Sequence, residues 1–266
     1  MKYIKKDQGA YNLHIIKTDL YKTITVKIYF REEACKENIT KRNFLSRIML
    51  LSNDYKTKVD LTKKEQDLYA ARVSITNRRI GNFLDTSFSL NVLNDKYTED
   101  GNFKESLKLL NSIIFNPRIE NNAFLDKEFN TVYEEYKADL NSIVEDKMSY
   151  ALIRGLEVSC PSSVTGFRAI GYSSDLEKIT KENLYDYYKN FINHNSVDIF
   201  VLGNVDEDII SGLFREIFKF DVFKKPPVSA LVQIDKKIKS KVVSEKIKAE
   251  QDNLVITLNL TNLTDY

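Results

Sequence analysis

Alternating apolar and polar residues mark several short segments of this chain as β-strands, and this alternation restricts the fold more than any other feature. In Thr23–Phe30, the apolar residues Ile24, Val26 and Ile28 alternate with more polar neighbours, which is typical of a strand with one buried face. The same criteria predict strands at Tyr11–Lys17, Ala71–Ile75, Phe88–Val92 and the almost entirely apolar Val197–Leu202. Because Asn77–Asn82 supplies a turn between two of them, we expect an antiparallel hairpin there.

Apolar residues at helical spacing lie between these strands. They predict helices over Asn38–Leu51 (capped by Asn38 or Thr40), Phe103–Ile114, Leu125–Ile143, Met148–Val158, Leu184–Phe191 (capped by Thr180) and Ile209–Ile217 (capped by Asp206). The polar segment Lys56–Lys64 is predicted to be a loop. Helices are inserted between strands without a strict βαβ repeat, so the pattern predicts an α+β fold.

The composition excludes several classes of protein. The net charge of the 266 residues is only +2 and no lysine-rich block stands apart from acidic neighbours, which argues against a nucleic-acid partner. No apolar run approaches the roughly twenty residues of a membrane helix, and Met1–Asp7 has no apolar region typical of a secretory signal. Cys35 and Cys160 are too few for a disulfide framework. We therefore expect a cytoplasmic protein with two reduced thiols and no membrane partner.

The C-terminal part of the chain has a different composition. Residues 220–232 contain Pro226-Pro227 and paired lysines, which predict a linker. Strands are predicted beyond it at Ser240–Lys248 and Asn253–Leu260. This divides the chain into a domain at 1–219, a linker at 220–232 and a further segment at 233–266.

One face of the predicted Asn38–Leu51 helix carries polar residues that could have a function. Asn43, Ser46 and Arg47 share this face by the i, i+3, i+4 rule, opposite a stripe of apolar residues. An ordinary amphipathic helix with a solvated face gives the same pattern, so the face alone does not identify a site.

A pair of glutamates occupies a comparable position on a second helix. Glu128 and Glu135 are two helical turns apart and border the apolar stripe of Leu125–Ile143. On a helix this charged, such a pair taken alone more often belongs to a solvated face. The two histidines, His14 and His194, fall on a strand and in a loop, and nothing in the sequence brings them together. The sequence contains no glycine-rich phosphate loop and no nucleophile elbow.

Several short motifs follow one another in an order that resembles a known family. They are Leu68-Tyr69-Ala70-Ala71 with the hairpin after it, Asn94–Tyr97, Glu145–Ala151, Gly171–Thr180 and Val201–Asp206. Over about Asp19–Phe218, this ordered set resembles the first half of an insulinase/pitrilysin-type zinc peptidase subunit, an inverted zincin. It is most similar to the Firmicute members described as the inactive partner of a zinc-peptidase pair.

The resemblance implies that the metal site has been lost. The His-x-x-Glu-His signature of the family falls on Asn43-Phe44-Leu45-Ser46-Arg47. Zinc requires imidazole, thiolate or carboxylate ligands, whereas Arg47 is a permanent cation and Ser46 cannot act as a general base. Glu128 and Glu135 correspond to the glutamate pair that supplies the third ligand and a supporting carboxylate. We therefore expect no metal, no cofactor and no catalytic residue, and we expect Arg47 to pair with Glu135, and with Glu128, in place of the metal.

The resemblance also implies a fold and a function. The fold would be a mitochondrial-processing-peptidase-like half-clamshell, a mixed and largely antiparallel sheet packed on helices, and residues 233–266 would begin a second, truncated domain of the same family. The chain would be a non-catalytic subunit that pairs with a homologous His-x-x-Glu-His zinc peptidase and helps to enclose short extended peptides. The alternative is a structural or assembly subunit with no peptide substrate. An autonomous peptidase is disfavoured because the ligands are missing.

The second strand of the hairpin is the predicted peptide-binding edge. Its residues alternate, so that one face can pack while the other stays wet, and a free edge binds extended peptide by strand addition. The predicted binding residues are Thr86, Ser87, Phe88, Ser89 and Leu90. An edge that is merely protected by charge, or covered by a neighbour, is the alternative.

Overall fold

The computed structural model describes residues 1–220, 240–247 and 251–258. The strands are β1 (Lys2–Asp7), β2 (Asn12–Lys17), β3 (Thr23–Glu33), β4 (Arg72–Ile80), β5 (Phe83–Leu93), β6 (Ile119–Glu120), β7 (Ala123–Phe124) and β8 (Ser196–Gly203). The α-helices are α1 (Lys36–Ile48), α2 (Lys58–Asp67), α3 (Asn102–Phe115), α4 (Asp126–Ser142), α5 (Lys147–Ser159), α6 (Ser173–Leu176), α7 (Lys181–His194) and α8 (Glu207–Ile217). Two 3₁₀ turns lie at Asp95–Tyr97 and Val164–Gly166.

Six strands form one sheet in the order β1-β2-β8-β3-β5-β4. Every neighbouring pair is antiparallel except β2 and β8, which are parallel. The strands β6 and β7 form a separate small hairpin. The predicted α+β class with a mixed, largely antiparallel sheet is therefore confirmed.

The core lies on one face of this sheet, under the helices. Along β3, Val26, Ile28 and Phe30 are completely buried, whereas the residues between them are only half-buried. The ring of Phe30 stacks on that of Phe191 from α7, with 4.7 Å between centroids, and further buried apolar residues from the other long helices extend the same cluster. The period-two alternation thus separates a helix-covered face from an open one.

A buried arginine anchors α1 to the sheet. Arg42 is 1% exposed and donates hydrogen bonds to Thr86 Oγ1 at 2.8 Å, to Asn195 Oδ1 at 2.9 Å and to the Phe30 carbonyl. Its guanidinium also forms an ion pair of 2.8 Å with Glu32, whose side chain is 13% exposed. Because a buried charge is tolerated only when it is paired and hydrogen-bonded, this network fixes the position of α1.

Two local predictions in this region are wrong. Helix α1 begins after Cys35, which provides no side-chain cap, and Thr40 instead accepts a hydrogen bond from the Tyr172 amide. Residues 56–64 are not a loop, because Thr57 and Asp60 form a capping box that starts α2. This helix buries only Leu61, so it lacks the apolar stripe that revealed the other helices.

The strands of the sheet also differ in extent from those predicted. Strand β1 was not predicted because it is an exposed edge without strong apolar alternation. The hairpin is confirmed, but its strands are longer and its turn is confined to Gly81 and Asn82. Gly81 has a φ of +56°, a left-handed conformation that glycine adopts readily.

The structure describes only some of the residues to which the C-terminal predictions apply. Except for Phe220, the predicted linker lies outside the described residues, and so does part of each predicted C-terminal strand. Residues 240–247 and 251–258 contain no assigned strand. They lie against α5, where Glu245 accepts a hydrogen bond of 2.9 Å from Arg154. A Cβ at Gly155 would meet Val255 Cγ1 at 2.7 Å, so this close approach requires glycine. The domain boundaries stay a prediction.

Candidate functional site

A cleft of about 640 Å³ lies between the C-terminal half of α1, the strand β4 and the N-terminal half of α4. We call it the α1–α4 cleft. Four of the five proposed metal-site positions line it, namely Ser46, Arg47, Glu128 and Glu135, together with Val73, Ser74 and Ile75 of β4 and Lys56, Lys58, Arg118 and Lys127. The fold thus brings most of the positions singled out by the resemblance to one place.

Arg47 does not pair with Glu135, contrary to the sequence prediction. Its Nη1 lies 2.7 Å from Asp139 Oδ2, and its guanidinium lies 4.5 Å from the centre of the Tyr136 ring. Asp139 is one turn further along α4 than Glu135 and lies on the same side of the helix. The relative positions of α1 and α4 along their axes therefore bring Asp139, and not Glu135, within reach of Arg47.

Tyr136 forms the buried floor beneath Arg47. Burial raises the pKa of its phenol, an effect that the nearby Arg47 charge partly offsets. The neutral phenol donates a hydrogen bond to the Ile170 carbonyl. The next residue, Gly171, has a φ of +93°, and a Cβ there would lie 2.8 Å from the Tyr136 hydroxyl. A glycine is thus required where the chain passes over this ring.

Glu128 is held by a different arginine from the one predicted. It forms an ion pair with Arg118, and the two side chains are 14% and 21% exposed. Arg118 Nη1 also donates to the Lys56 carbonyl at 3.1 Å. Glu128 Oε2 and Arg118 Nε are buried without a hydrogen-bond partner among the described residues. The predicted contact between Arg47 and Glu128 is therefore also wrong, because Arg118 already neutralises this carboxylate.

Asn43 and Ser46 connect α1 to the sheet rather than holding a metal. The Asn43 amide donates to the Ile39 and Ala169 carbonyls, both at 2.9 Å. The Asn77 amide of β4 donates to Ser46 Oγ at 2.7 Å and, more weakly, to Asn43 Oδ1 at 3.2 Å. Hydrogen bonds between α1 and β4 thus occupy two of the three positions predicted to correspond to the metal-binding signature.

Within the described residues, strand β4 is one of the two outer strands of the sheet, and its free edge lies beside this cleft. Val73 donates its backbone N–H to the Glu65 carboxylate at 2.9 Å and therefore not to β5. Successive residues of an antiparallel pair turn their backbone groups to opposite sides, and the β4–β5 register is unbroken over Arg72–Ile80. Ile75 and Asn77 therefore also turn their backbone N–H and C=O groups toward the free edge.

The prediction of the peptide-binding strand is wrong, because it names the strand next to the outer one. Thr86–Leu90 belongs to β5, which pairs with β3 on one side and with β4 on the other. Its backbone groups are therefore occupied, and Thr86 is buried as a partner of Arg42. Both strands of the hairpin alternate, so the sequence could not show which of them lies outside.

The charges around the cleft are unevenly distributed. Lys56, Lys58 and Lys127 are exposed at its rim, and none of the three forms an ion pair within the described part of the chain. Glu135 is the one acidic lining residue without such a partner among the described residues. The cleft therefore has an excess of unpaired positive charge.

The lining residues do not fit a zinc ion. The three predicted signature positions supply the Asn43 amide, the Ser46 hydroxyl and the Arg47 guanidinium, and none of these is a zinc ligand. Within the described residues, no group of three or more histidine, cysteine, aspartate or glutamate side chains is arranged to hold a metal. The expected absence of zinc stays a prediction, which elemental analysis of the dialysed protein tests.

A second cavity of about 440 Å³ lies on the open face of the sheet. Here His14 stacks on Phe200, with 4.3 Å between ring centroids, and its Nε2 lies 3.3 Å from Asp198 Oδ1. His194 lies at the end of α7 and contacts the Asn190 carbonyl instead. The two histidines thus have separate surroundings.

Sequence patterns did not show that α2 and β4 contribute to the site. Lys58 lies in the segment predicted to be a loop, and Val73 and Ile75 belong to the first strand of the hairpin, whereas the binding edge was predicted on the second. The capping-box spacing of Thr57 and Asp60 is a signal that could have revealed α2. No comparable signal marks Arg118 as the partner of Glu128.

The fold and the cleft define a degenerate metallopeptidase-like domain, and comparisons with known proteins agree. Residues 178–266 match the family described as "Peptidase M16 inactive domain". The chain is 26% identical over 219 residues to the "Probable inactive metalloprotease YmfF" of Bacillus subtilis, covering 81% of this chain and 51% of that protein. The chain thus spans about half the length of its relative.

Solved structures share this fold. A conserved protein from Enterococcus faecalis is 32% identical, with a TM-score of 0.81 over 85% of this chain and 54% of that one. A peptidase M16 inactive domain from Pseudomonas fluorescens is 11% identical, with a TM-score of 0.67 over 88% of this chain and 53% of that one. The second likeness concerns the fold alone.

The chain is therefore a homologue of the M16 peptidases, the insulinase and pitrilysin family, and it is related to members described as inactive. The family resemblance inferred from the sequence is confirmed, as is the interpretation of the chain as a degenerate peptidase homologue. Among the described residues, no helix has the length and apolar character needed to cross a bilayer.

Proposed function

We propose that this chain is a non-catalytic subunit that pairs with a homologous His-x-x-Glu-His zinc peptidase and holds extended peptides against the edge of β4. The observation that carries this proposal is a cleft of about 640 Å³ directly beside a free strand edge. Such an edge binds peptide through main-chain hydrogen bonds. The cleft remains although the residues at the signature positions no longer suit a metal.

The relationship to inactive homologues supports the pairing. A chamber that encloses a peptide between two half-shells needs a metal in only one of them. The other can supply wall and binding surface. The peptide-binding strand is here assigned to β4, with Val73, Ile75 and Asn77 turned to the edge.

One observation favours the alternative, an assembly subunit without a peptide substrate. The Glu65 carboxylate already accepts the edge-facing N–H of Val73, as in strand edges that are protected by charge. In that case the edge would not accept a peptide anywhere along β4. The two proposals differ in whether the backbone N–H of Ile75 donates a hydrogen bond to a bound peptide.

The Ile75→Pro variant separates the two proposals. Proline removes an N–H that faces the edge and leaves the hydrogen bonds between β4 and β5 intact, which edge strands tolerate. Ile75→Val keeps this N–H and is the matched control. Binding is measured by chemical-shift mapping with an unstructured, end-blocked peptide at about millimolar concentration, as expected for weak recognition of a strand.

We expect shifts along β4 and around the cleft in the wild-type chain and in Ile75→Val, and their loss in Ile75→Pro. Thermal unfolding of both variants verifies that they are folded. Shifts confined to other surfaces, or equal binding by the proline variant, would reject β4 as the peptide-binding strand.

A further inference from the structure

We infer that the α1–α4 cleft selects extended peptides that carry an aspartate or glutamate side chain at the residue opposite Ile75. This inference rests on the proposed binding of peptide along β4 and adds the chemical class of the peptide. It follows from the direction of side chains in a sheet and from the charges that line the cleft.

The pairing geometry determines which peptide side chain enters the cleft. The side chain of Ile75 lies on the helix-covered side of β4 and lines the cleft. Residues directly opposite one another on neighbouring strands carry their side chains on the same face. A peptide residue paired with Ile75 therefore points into the cleft, whereas its two neighbours point to the open face of the sheet.

The charges in the cleft determine what this side chain should be. Of the cationic lining residues, Arg118 is neutralised by Glu128, and Arg47 uses one of its five N–H donors on Asp139. The three rim lysines (Lys56, Lys58 and Lys127) have no acidic partner within the described residues. A peptide carboxylate that enters the cleft is attracted by the rim lysines. A peptide lysine is repelled by them, and Glu135 is the one acidic lining residue among the described residues that is not already paired with a cation.

The rim lysines are exposed, so their individual contributions are modest and screened by salt. Their sum still discriminates between peptides, because like charges also repel the wrong partner. The preference for an acidic side chain should consequently weaken as the salt concentration rises, while main-chain binding along β4 should change little.

The test uses three end-blocked peptides that differ only at their central residue, which is glutamate, glutamine or lysine. Acetylation and amidation remove the terminal charges, so that only the side chain is compared. The glutamate peptide should bind the wild-type chain most tightly and the lysine peptide most weakly, with about tenfold between them, which corresponds to about 1.4 kcal/mol. Dissociation constants are taken from chemical-shift titrations.

Two double variants with equal charge changes locate the effect. Lys58→Glu with Lys127→Glu reverses two rim lysines, whereas Lys63→Glu with Lys137→Glu changes exposed residues on the same two helices that do not line the cleft. The first variant should abolish or reverse the order of the three peptides. The second should keep the order, with less than about twofold change in each dissociation constant.

Equal affinity for all three peptides would overturn the preference and leave the proposed function intact. Equal effects of the two double variants would show that only the net charge matters, and would also overturn it. If none of the peptides binds, both the preference and the proposed function are rejected.

Discussion

At the scale of residues, two arginines of helix α1 carry different roles. Arg42 is 1% exposed and satisfied by a buried network. Arg47, five residues later, keeps 31% of its side-chain surface and pairs with Asp139, which is 54% exposed. The first arginine holds the fold together and the second belongs to the cleft.

Replacing each arginine by methionine should therefore have different effects on the free energy of unfolding. Arg42→Met removes the ion-pair partner of the largely buried Glu32 carboxylate, which keeps its hydrogen bond from the Tyr187 hydroxyl, and should cost about 3–5 kcal/mol. Arg47→Met removes a solvent-screened ion pair and should cost about 1 kcal/mol or less. Urea unfolding of both variants measures the difference. Equal losses would contradict the distinction between an anchoring arginine and one that lines the cleft.

The sequence predicted the positions of the site residues better than their partners. The spacing of Asn43, Ser46 and Arg47 correctly placed them on one helix beside the sheet. It could not distinguish Glu135 from Asp139 as the partner of Arg47, because these residues lie one turn apart on the same side of α4. Which of them is reached depends on how far α1 and α4 are displaced along their axes, a property of tertiary packing.

At the scale of elements, helices were predictable where a long apolar stripe meets the core. Helix α2 is short and buries only Leu61, so its signal lay in its capping box rather than in periodicity. Strand β1 is exposed and gave no signal. The two missed elements, α2 and β1, thus bury few side chains, and α2 belongs to the proposed site.

Helix α5 contains an ionic cluster that makes stability depend on pH. Burial alone would raise the pKa of Glu157, but hydrogen bonds from Arg168 and Arg154 outweigh it and lower the pKa below the ordinary 4.5. A carboxylate with a lowered pKa stabilises the folded state above its unfolded-state pKa, and this contribution is lost as the pH falls through its folded-state pKa.

The Glu157→Gln variant tests this linkage. It should be less stable than the wild-type chain at neutral pH, and the difference should shrink at acidic pH as the wild-type carboxylate takes up its proton. The measurement is the free energy of unfolding from urea titrations at both pH values. A difference that stays constant or grows on acidification would show that Glu157 does not act through its charge.

At the scale of the whole molecule, the fold class followed from the alternation of strands and helices, but the order of the strands did not. Strand β8 enters between β2 and β3, which no local pattern reveals. The order of the hairpin strands is equally hidden from local patterns, because the pairing of β5 with β3 is what leaves β4 on the outside beside the cleft. Strand β4 and the residues Ser46 and Arg47 of α1 line the same cleft, so the two halves of the proposed site are adjacent.

The central claim is that this chain contributes a binding surface to peptide hydrolysis without carrying out the chemistry. The most direct measurement is the rate of cleavage of an extended peptide by this chain alone, by a homologous His-x-x-Glu-His subunit from the same organism alone, and by their mixture. We expect the chain alone to give only the background rate and the mixture to exceed the catalytic subunit alone. Zinc-dependent cleavage by this chain alone, or a mixture no faster than the catalytic subunit, would contradict this account.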